Sequence, residues 1–132
     1  NLEFKTSEGR KVLPESVPLK TALVQAGNLA GLVAGLATDD YALIGRSISD
    51  VFAEPVRSKK LPEFEKLKKL TIEEGALGTG ISGSGPSLFS LCRSKEISTA
   101  VAEVMKKHFA DHNIESEVYI SKVSQAGCRI TG

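Results

Sequence analysis

The chain of 132 residues is predicted to fold as a single α+β domain, a two-layer sandwich with helices on one face of a mainly antiparallel sheet. Three observations predict this class. Helical periodicity dominates the first 74 residues, two glycine-flanked apolar runs follow, and a long amphipathic helix separates them from a later alternating segment. Apolar residues make up 41% of the chain, enough for a core built mainly from Leu, Val, Ile and Ala.

Composition also excludes several function classes. Seventeen basic residues against sixteen acidic ones give a net charge of +1, aromatics are 5% and Trp is absent, so a nucleic-acid binder is not expected. The cysteines, Cys92 and Cys128, fit neither a disulfide framework nor a zinc knuckle, which favours a cytoplasmic setting and buried, unreactive thiols. The opening at Asn1 resembles no signal peptide and suggests a piece of a longer protein.

The first elements are short. Residues 1–5 alternate and predict a strand. Thr6-Ser7-Glu8 offers N-cap chemistry for a turn of helix that reaches Leu13, and Pro14 and Pro18 bracket a bend after it.

A long helix is predicted from Pro18 to Thr38. Its apolar positions follow the 3.6-residue period: Leu19, Ala22, Leu23, Ala26, Leu29, Ala30, Val33 and Leu36. Glycines at 27, 31 and 35 fall four apart, which is also a membrane-helix pairing signature. The uncharged stretch 21–37 is short for a span, so no membrane partner is expected. We predict a buried helix whose glycines admit a neighbouring backbone.

The middle of the chain predicts two further helices. Asp39-Asp40 caps a helix over 41–51, and a loop is expected at Glu54-Pro55-Val56-Arg57. A helix over 62–74 ends at Gly75, a natural C-cap. Its inward positions are Phe64, Leu67, Leu70 and Thr71, and its neighbouring lysines are assigned to a solvated face: Lys59, Lys60, Lys66, Lys68 and Lys69.

The final third predicts the sheet. Strands over 76–82 and 86–92 are joined by Gly83-Ser84-Gly85. Ser94 caps a helix to Asp111 with Ile97, Val101, Val104, Met105 and Phe109 inward. Alternation predicts further strands over 114–120 and 127–131.

The most unusual segment holds five glycines in the eleven residues 75–85. It fits either a glycine-rich hairpin turn or a loop whose main chain closely approaches a ligand and can form an anion site. Residues 78–83 match G-x-G-x-x-G but lack the strand before and helix after that a dinucleotide-binding fold needs. A phosphate-binding P-loop and the protein-kinase motifs are also absent.

The same segment carries a family resemblance. GALGTGISGSGPS at 75–87, followed by a hydrophobic strand, resembles the C-terminal signature motif of the GHMP small-molecule kinases. Two further phrases resemble the homoserine kinases of that superfamily: TSEGR at 6–10 running into VLPESVP at 12–18, and DVFAEPVR at 50–57. The three phrases occur in the family's order and span nearly the whole chain.

The resemblance implies that residues 1–132 form a ferredoxin-like GHMP kinase C-terminal domain. The N-terminal kinase domain, which would hold ATP and Mg²⁺, is absent. The implied activity is ATP-dependent phosphorylation of L-homoserine to O-phospho-L-homoserine in threonine biosynthesis, and this segment alone is expected to be inactive. The alternatives are another GHMP kinase, for mevalonate or galactose, and a non-catalytic module that binds small amino acids. The oligomeric state stays open, a homo-oligomer included.

The resemblance also implies site residues. Thr6, Arg10 and Arg57 match the substrate-binding positions, where guanidinium forks suit a carboxylate; otherwise both arginines are ordinary surface residues. The active-site glycine loop comprises Gly78, Gly80, Ser82, Gly83, Ser84 and Gly85. No catalytic base and no metal ligand is assigned. His108 and His112 have zinc-ligand spacing, but no third ligand is evident.

Overall fold

The computed structural model describes residues 5–124, 126 and 130, and within them an α+β arrangement of helices and one antiparallel hairpin. The elements follow in this order: α1 Thr6–Lys11, α2 Leu19–Thr38, α3 Tyr41–Ser47, α4 Glu54–Arg57 with a 3₁₀ turn at Ser58–Lys60, α5 Phe64–Glu73, β1 Gly78–Ile81, β2 Leu88–Leu91 and α6 Lys95–Asp111.

Three predicted helix ends are confirmed by their capping contacts. The Asp40 carboxylate accepts a hydrogen bond from the Leu43 amide at 2.9 Å, and the Ser94 hydroxyl accepts one from Ile97 at 3.2 Å. Gly75 follows α5 with φ +93°, and its left-handed backbone lets the Ala76 amide bond back to the Thr71 carbonyl. These short-range contacts set where α3 and α6 begin and where α5 ends.

Other helix predictions need correction. The N-cap of α1 is Lys5, which makes no side-chain cap, so the polar run at 6–8 lies inside the helix. Helix α3 ends at Ser47 rather than near residue 51, because the chain leaves the helical region at Ile48. The expected loop at 54–57 is helix α4, with a proline in its first turn.

The predicted glycine hairpin is confirmed, with shorter strands. β1 and β2 pair antiparallel, with Gly78 opposite Leu91 and Ile81 opposite Leu88. The Ser82 amide donates to the Ser87 carbonyl at 2.8 Å and closes the turn. The polar side chains of Thr79 and Ser90 face each other across the pair.

The core lies between the hairpin and the helices α3, α5 and α6. Its buried apolar side chains are Ile44, Leu61, Phe64, Leu67, Ala76, Val101, Ala102 and Phe109. Leu67 is fully buried at the centre of α5, as the period of that helix predicted. Helices α5 and α6 pack on each other and against β1 and β2 respectively, which forms the two layers.

The alternating segment 114–120 carries no strand, which corrects the sequence prediction. It stands off α6 across an open trough of about 820 Å³ that Lys106 and Ala110 line on the helix side. The alternation of polar and apolar residues is typical of a strand, but a strand also needs a neighbouring strand to form backbone hydrogen bonds with. Among the described residues, none pairs with this segment. The predicted strand at 1–5 and most of 127–131 lie outside the described residues.

Helix α2 is not the buried helix that the sequence predicts. Within the described chain only Gly35 of α2 is buried, and the helix packs mainly on α3. It is also the one described helix long and apolar enough to cross a membrane, judged by length and composition alone. The glycine prediction is partly confirmed: Gly31 and Gly35 face α3 closely, whereas nothing lies within 4 Å of a Cβ at Gly27.

Candidate functional site

The guanidinium of Arg57 joins the three sequence phrases that carry the family resemblance. It sits at the end of α4, and its Nη1 donates to the Gly83 carbonyl in the glycine turn at 2.7 Å. Its Nη2 donates to the Gly9 carbonyl in α1 at 3.2 Å. Segments 48 and 26 positions away along the chain therefore meet at one side chain.

Helix α1 and the glycine turn are in close contact at Gly9. A Cβ at Gly9 would lie 3.0 Å from the Cβ of Ser84, so a larger residue would require Ser84 to move by a few tenths of an ångström. Thr6 and Arg10 lie on the same helix and are exposed. The structure thus brings α1 beside Arg57 and the turn, and the substrate roles of Thr6 and Arg10 stay predictions.

One nitrogen of the Arg57 guanidinium is buried without a hydrogen-bond partner. Among the described side chains, its Nε is the buried polar atom that has no hydrogen-bond partner. A buried donor without a partner costs roughly 1–3 kcal/mol, more for a charged group, so such an atom needs an explanation.

Arg57 also lines an open cleft of about 490 Å³. The segment 13–17 forms one wall, and Gln25, Asp50, Phe52 and Ala53 complete the lining with Arg57. The Gln25 amide oxygen accepts from the Val51 amide at 2.9 Å, and Asp50 accepts from the Phe52 and Ala53 amides. Side chain to backbone bonds therefore hold the segment before α4 and, with it, the position of Arg57.

An ion pair that the sequence did not predict joins α4 to α5. Lys68 on α5 is paired with the Glu54 carboxylate at the start of α4, and both side chains are largely buried. The Lys68 ammonium also lies 5.6 Å from the centre of the Phe64 ring. The prediction that Lys68 belongs to a solvated face is wrong. No local signal separates it from Lys66 or Lys69, because its partner Glu54 lies fourteen positions away on another helix.

A chain of hydroxyl groups fixes β1 to both layers. Thr71 donates to the Lys68 carbonyl at 2.9 Å and faces Thr79 at 2.7 Å, and Thr79 faces Ser90 at 2.6 Å. Since each hydroxyl has one proton, the bond from Thr71 to the Lys68 carbonyl makes Thr79 the donor to Thr71 and Ser90 the donor to Thr79. The Met105 sulfur, 3.4 Å from the Ser90 hydroxyl, is a weaker acceptor that competes for the Ser90 proton. Thr71 and Thr79 are fully buried, so this network holds the strand that leads into the glycine turn.

The glycines of the predicted loop have different local reasons. Gly83 and Gly85 adopt positive φ of +59° and +78°, which glycine tolerates in a tight turn. A Cβ at Gly78 would lie 2.9 Å from the Cβ of Ile48, and one at Gly80 would lie 2.9 Å from the Phe89 ring. Packing explains Gly78 and Gly80 and the turn conformation explains Gly83 and Gly85, so the ligand role of this loop stays a prediction. Ser82 and Ser84 complete that turn.

The two histidines have structural partners, and the described cysteine, Cys92, is free and half-buried. A ring nitrogen of buried His108 lies 2.8 Å from the Pro62 carbonyl, and His112 lies 2.8 Å from the His108 carbonyl and 3.6 Å from Glu63. Lys66 beside Glu63 lowers the pKa of that carboxyl. Burial raises the pKa of the Cys92 thiol, and Cys128 lies outside the described residues. Within the described ranges, no three His, Cys, Asp or Glu side chains gather to hold a metal ion.

Comparison with known proteins identifies relatives over nearly the whole chain. The family described as GHMP kinases C terminal matches residues 32–111, more than half of the sequence. A homoserine kinase from Chlorobium phaeobacteroides is 45% identical over 97% of the chain, and one from Chlorobaculum tepidum is 43% identical over 97%. The crystal structure of a homoserine kinase from Cytophaga hutchinsonii superposes over 93% of the chain with TM-score 0.89 and 47% identity.

The relatives are much longer than this chain. It spans 41% of the Chlorobium enzyme, 40% of the Chlorobaculum enzyme and 39% of the Cytophaga chain. What lies in the other three fifths of those proteins has no counterpart among these 132 residues.

Proposed function

The chain belongs to the GHMP kinase C-terminal family, and we propose from this that it is the C-terminal domain of a homoserine kinase. The complete enzyme transfers the γ-phosphoryl group of ATP to the side-chain hydroxyl of L-homoserine. The product is O-phospho-L-homoserine, a precursor of threonine, and the enzyme works in the cytoplasm. Residues 1–132 act as one domain, and an N-terminal domain binds the nucleotide.

The position of Arg57 is the observation that carries the proposal. Its guanidinium bonds to the glycine turn and to α1, and it borders the cleft. The Nε is covered in this chain, so the groups over it must shift before a carboxylate can accept from the Nε and from a free Nη proton. Those two bonds would make a bidentate pair, the arrangement that guanidinium favours. Homoserine supplies such a carboxylate at one end and the hydroxyl to be phosphorylated at the other.

The contribution of this domain to catalysis is positioning. Phosphoryl transfer needs the acceptor hydroxyl held in line with the nucleotide, and orientation of this kind lowers the barrier substantially. We assign Thr6, Arg10 and Arg57 to the substrate, and the loop Gly78 to Gly85 to the border of the site. No side chain of this domain is assigned as a catalytic base.

ATP and Mg²⁺ are assigned chiefly to the N-terminal domain. The resemblance implies this, because the loop that wraps the ATP phosphates in the homoserine kinases lies in their N-terminal half. Mg²⁺ would supply charge neutralisation on the transferring phosphate. The part of this chain is to present the glycine turn, whose neighbouring cation is Arg57.

The first experiment tests the carboxylate assignment in a full-length enzyme. This chain replaces the matched region of the Chlorobium phaeobacteroides homoserine kinase. Steady-state kinetics are then measured for Arg57→Lys. The control is Arg93→Lys, at an exposed arginine outside the site. Arg57→Lys should raise the KM for homoserine at least tenfold, because lysine loses the planar fork, and leave the KM for ATP unchanged. An unchanged homoserine KM overturns the assignment.

The second experiment uses the 132-residue chain alone. With ATP, Mg²⁺ and homoserine it should release no ADP, because the nucleotide domain is missing. Turnover by the isolated chain would contradict the proposed division of labour. Tight calorimetric binding of homoserine without turnover would instead favour an amino-acid-binding module.

A further inference from the structure

Helix α2 turns its polar side toward the rest of the domain and its apolar side outward. The side that meets α3 and the segment after it carries glycines and amides: Gly31 and Gly35 face Ser47 and Ile44, and the Asn28 amide donates to the Ser49 carbonyl. Gln25 holds the Val51 amide from the same side. A helix at the surface of a globular protein normally turns its apolar stripe to the core and its polar side to water.

The apolar stripe of α2 faces outward. Its large side chains are all exposed: Leu19 by 75%, Leu23 by 63%, Leu29 by 62%, Val33 by 60% and Leu36 by 52%. Exposed alanines at 26, 30 and 37 lie between them, and residues 21–37 contain no charged group. Soluble monomers rarely leave a contiguous apolar surface of more than a few hundred Å² uncovered, and larger patches mark interaction sites.

The length of the relatives indicates what covers this face. The matched homoserine kinases contain about three fifths of their length outside the region that this chain represents. The rest of such an enzyme must also stand near the cleft, since that part brings the nucleotide to the substrate. Gln25 lies at the border between the polar side of α2 and its apolar stripe, one turn before the exposed Leu29, and it lines the same cleft as Arg57. The stripe therefore begins beside the cleft, and a body seated on it would stand next to the substrate site.

We propose that the apolar face of α2, from Leu19 to Ala37, is the docking surface for the remaining part of the homoserine kinase polypeptide. That part presents an apolar face of its own, because a stripe without charge offers nothing for ionic recognition. This inference rests on the proposed function, which supplies the partner. It adds the surface through which the two parts of the enzyme are held together.

Cysteine footprinting tests the surface. Ala30→Cys is introduced at the middle of the stripe, in a Cys92→Ser, Cys128→Ser background. Labelling by a maleimide is timed in the isolated chain and in the full-length chimera with the Chlorobium phaeobacteroides enzyme. Ala37→Cys repeats the measurement at a second exposed position, and Lys69→Cys, exposed on α5, is the matched control.

Both stripe cysteines should label at least tenfold more slowly in the chimera than in the isolated chain, and the Lys69→Cys control should label equally fast in both. Equal labelling of the stripe in both proteins overturns the proposal. Protection in the isolated chain that grows with its concentration identifies a second copy as the occupant and also overturns it. Protection by phosphatidylcholine–phosphatidylglycerol vesicles overturns it in favour of a membrane.

The kinetics of the same chimera keep the two proposals apart. A chimera with a protected stripe and no effect of Arg57→Lys on the homoserine KM retains the docking surface and rejects the substrate assignment. A chimera that phosphorylates homoserine while its stripe stays freely labelled retains the function and rejects this surface.

Discussion

The region around β1 and the region around α2 differ in where they place their polar and apolar side chains. Around β1, polar groups are buried and matched within the chain: Glu54 has Lys68, and Thr79 has Thr71 and Ser90. Around α2, the matched side is polar and the apolar side is left outside. The first region is complete in these residues, whereas the second is built to be completed by something else. Stability should therefore be sensitive near β1 and tolerant on the outer side of α2.

The largest effect is expected at the buried ion pair. Lys68→Met leaves the Glu54 carboxylate buried without its partner and should lower the free energy of unfolding by about 3 kcal/mol. Urea denaturation of the isolated chain measures it. Lys69→Met on the exposed side of α5 is the control, expected within about 0.5 kcal/mol of the parent chain. Equal midpoints for the two variants would show that the β1 region is less tightly matched than described.

The next effect is expected where α2 meets α3. A Cβ at Gly35 would lie 2.9 Å from Ile44 Cγ1 and 3.0 Å from the Ile44 backbone nitrogen, so α3 must shift to admit it. Gly35→Ala should cost about 1–3 kcal/mol, the usual range for overpacking. Thermal unfolding monitored by circular dichroism would register a lower Tm. A Tm equal to or above that of the parent would mean that the two helices are not in close contact.

A smaller loss is expected in the hydroxyl chain. Thr79→Val keeps the shape of the side chain but removes the donor to Thr71 and the acceptor for Ser90. The free energy of unfolding should fall by about 1–2 kcal/mol, because buried polar groups lose their partners. Denaturation of Ser90→Ala, at the half-buried end of the chain, should show a smaller loss. The reverse ranking would contradict the central place of Thr79 in this network.

The smallest effect is expected on the outer side of α2 and has the opposite sign. Gly27 lies inside the helix with nothing within 4 Å of a Cβ, so Gly27→Ala should stabilise the isolated chain by about 0.5–1 kcal/mol. Gly27→Ala and Gly35→Ala should change the stability in opposite directions, and this is the sharpest test of the comparison because both glycines belong to one helix. A loss of stability at Gly27 would show that this side is already covered.

Much of the local structure could be predicted from the sequence. Capping contacts join residues that are close in the sequence, so they could be predicted for Asp40, Ser94 and Gly75. The glycine hairpin follows from two apolar runs with turn residues between them. The segment 114–120 shows the limit of such reasoning, because a strand depends on a partner that alternation cannot specify.

The candidate site was predictable in part. The three phrases of the resemblance pointed to the segments around Gly9, Arg57 and Gly83, and the structure brings these together through one guanidinium. The Glu54–Lys68 pair beneath them escaped prediction. Glu54 and Lys68 are fourteen positions apart in the sequence and lie on different helices, so only the tertiary structure brings them together and buries them.

The position of α2 and the apolar character of one of its sides follow from the 3.6-residue period, which is a property of neighbouring residues. The outward orientation of that side and the contact of Arg57 with the turn follow from the packing of the whole domain. Those outcomes depend on which surfaces meet across long stretches of chain: the amides of Gln25 and Asn28 bond to the segment after α3, and the apolar stripe is left outside.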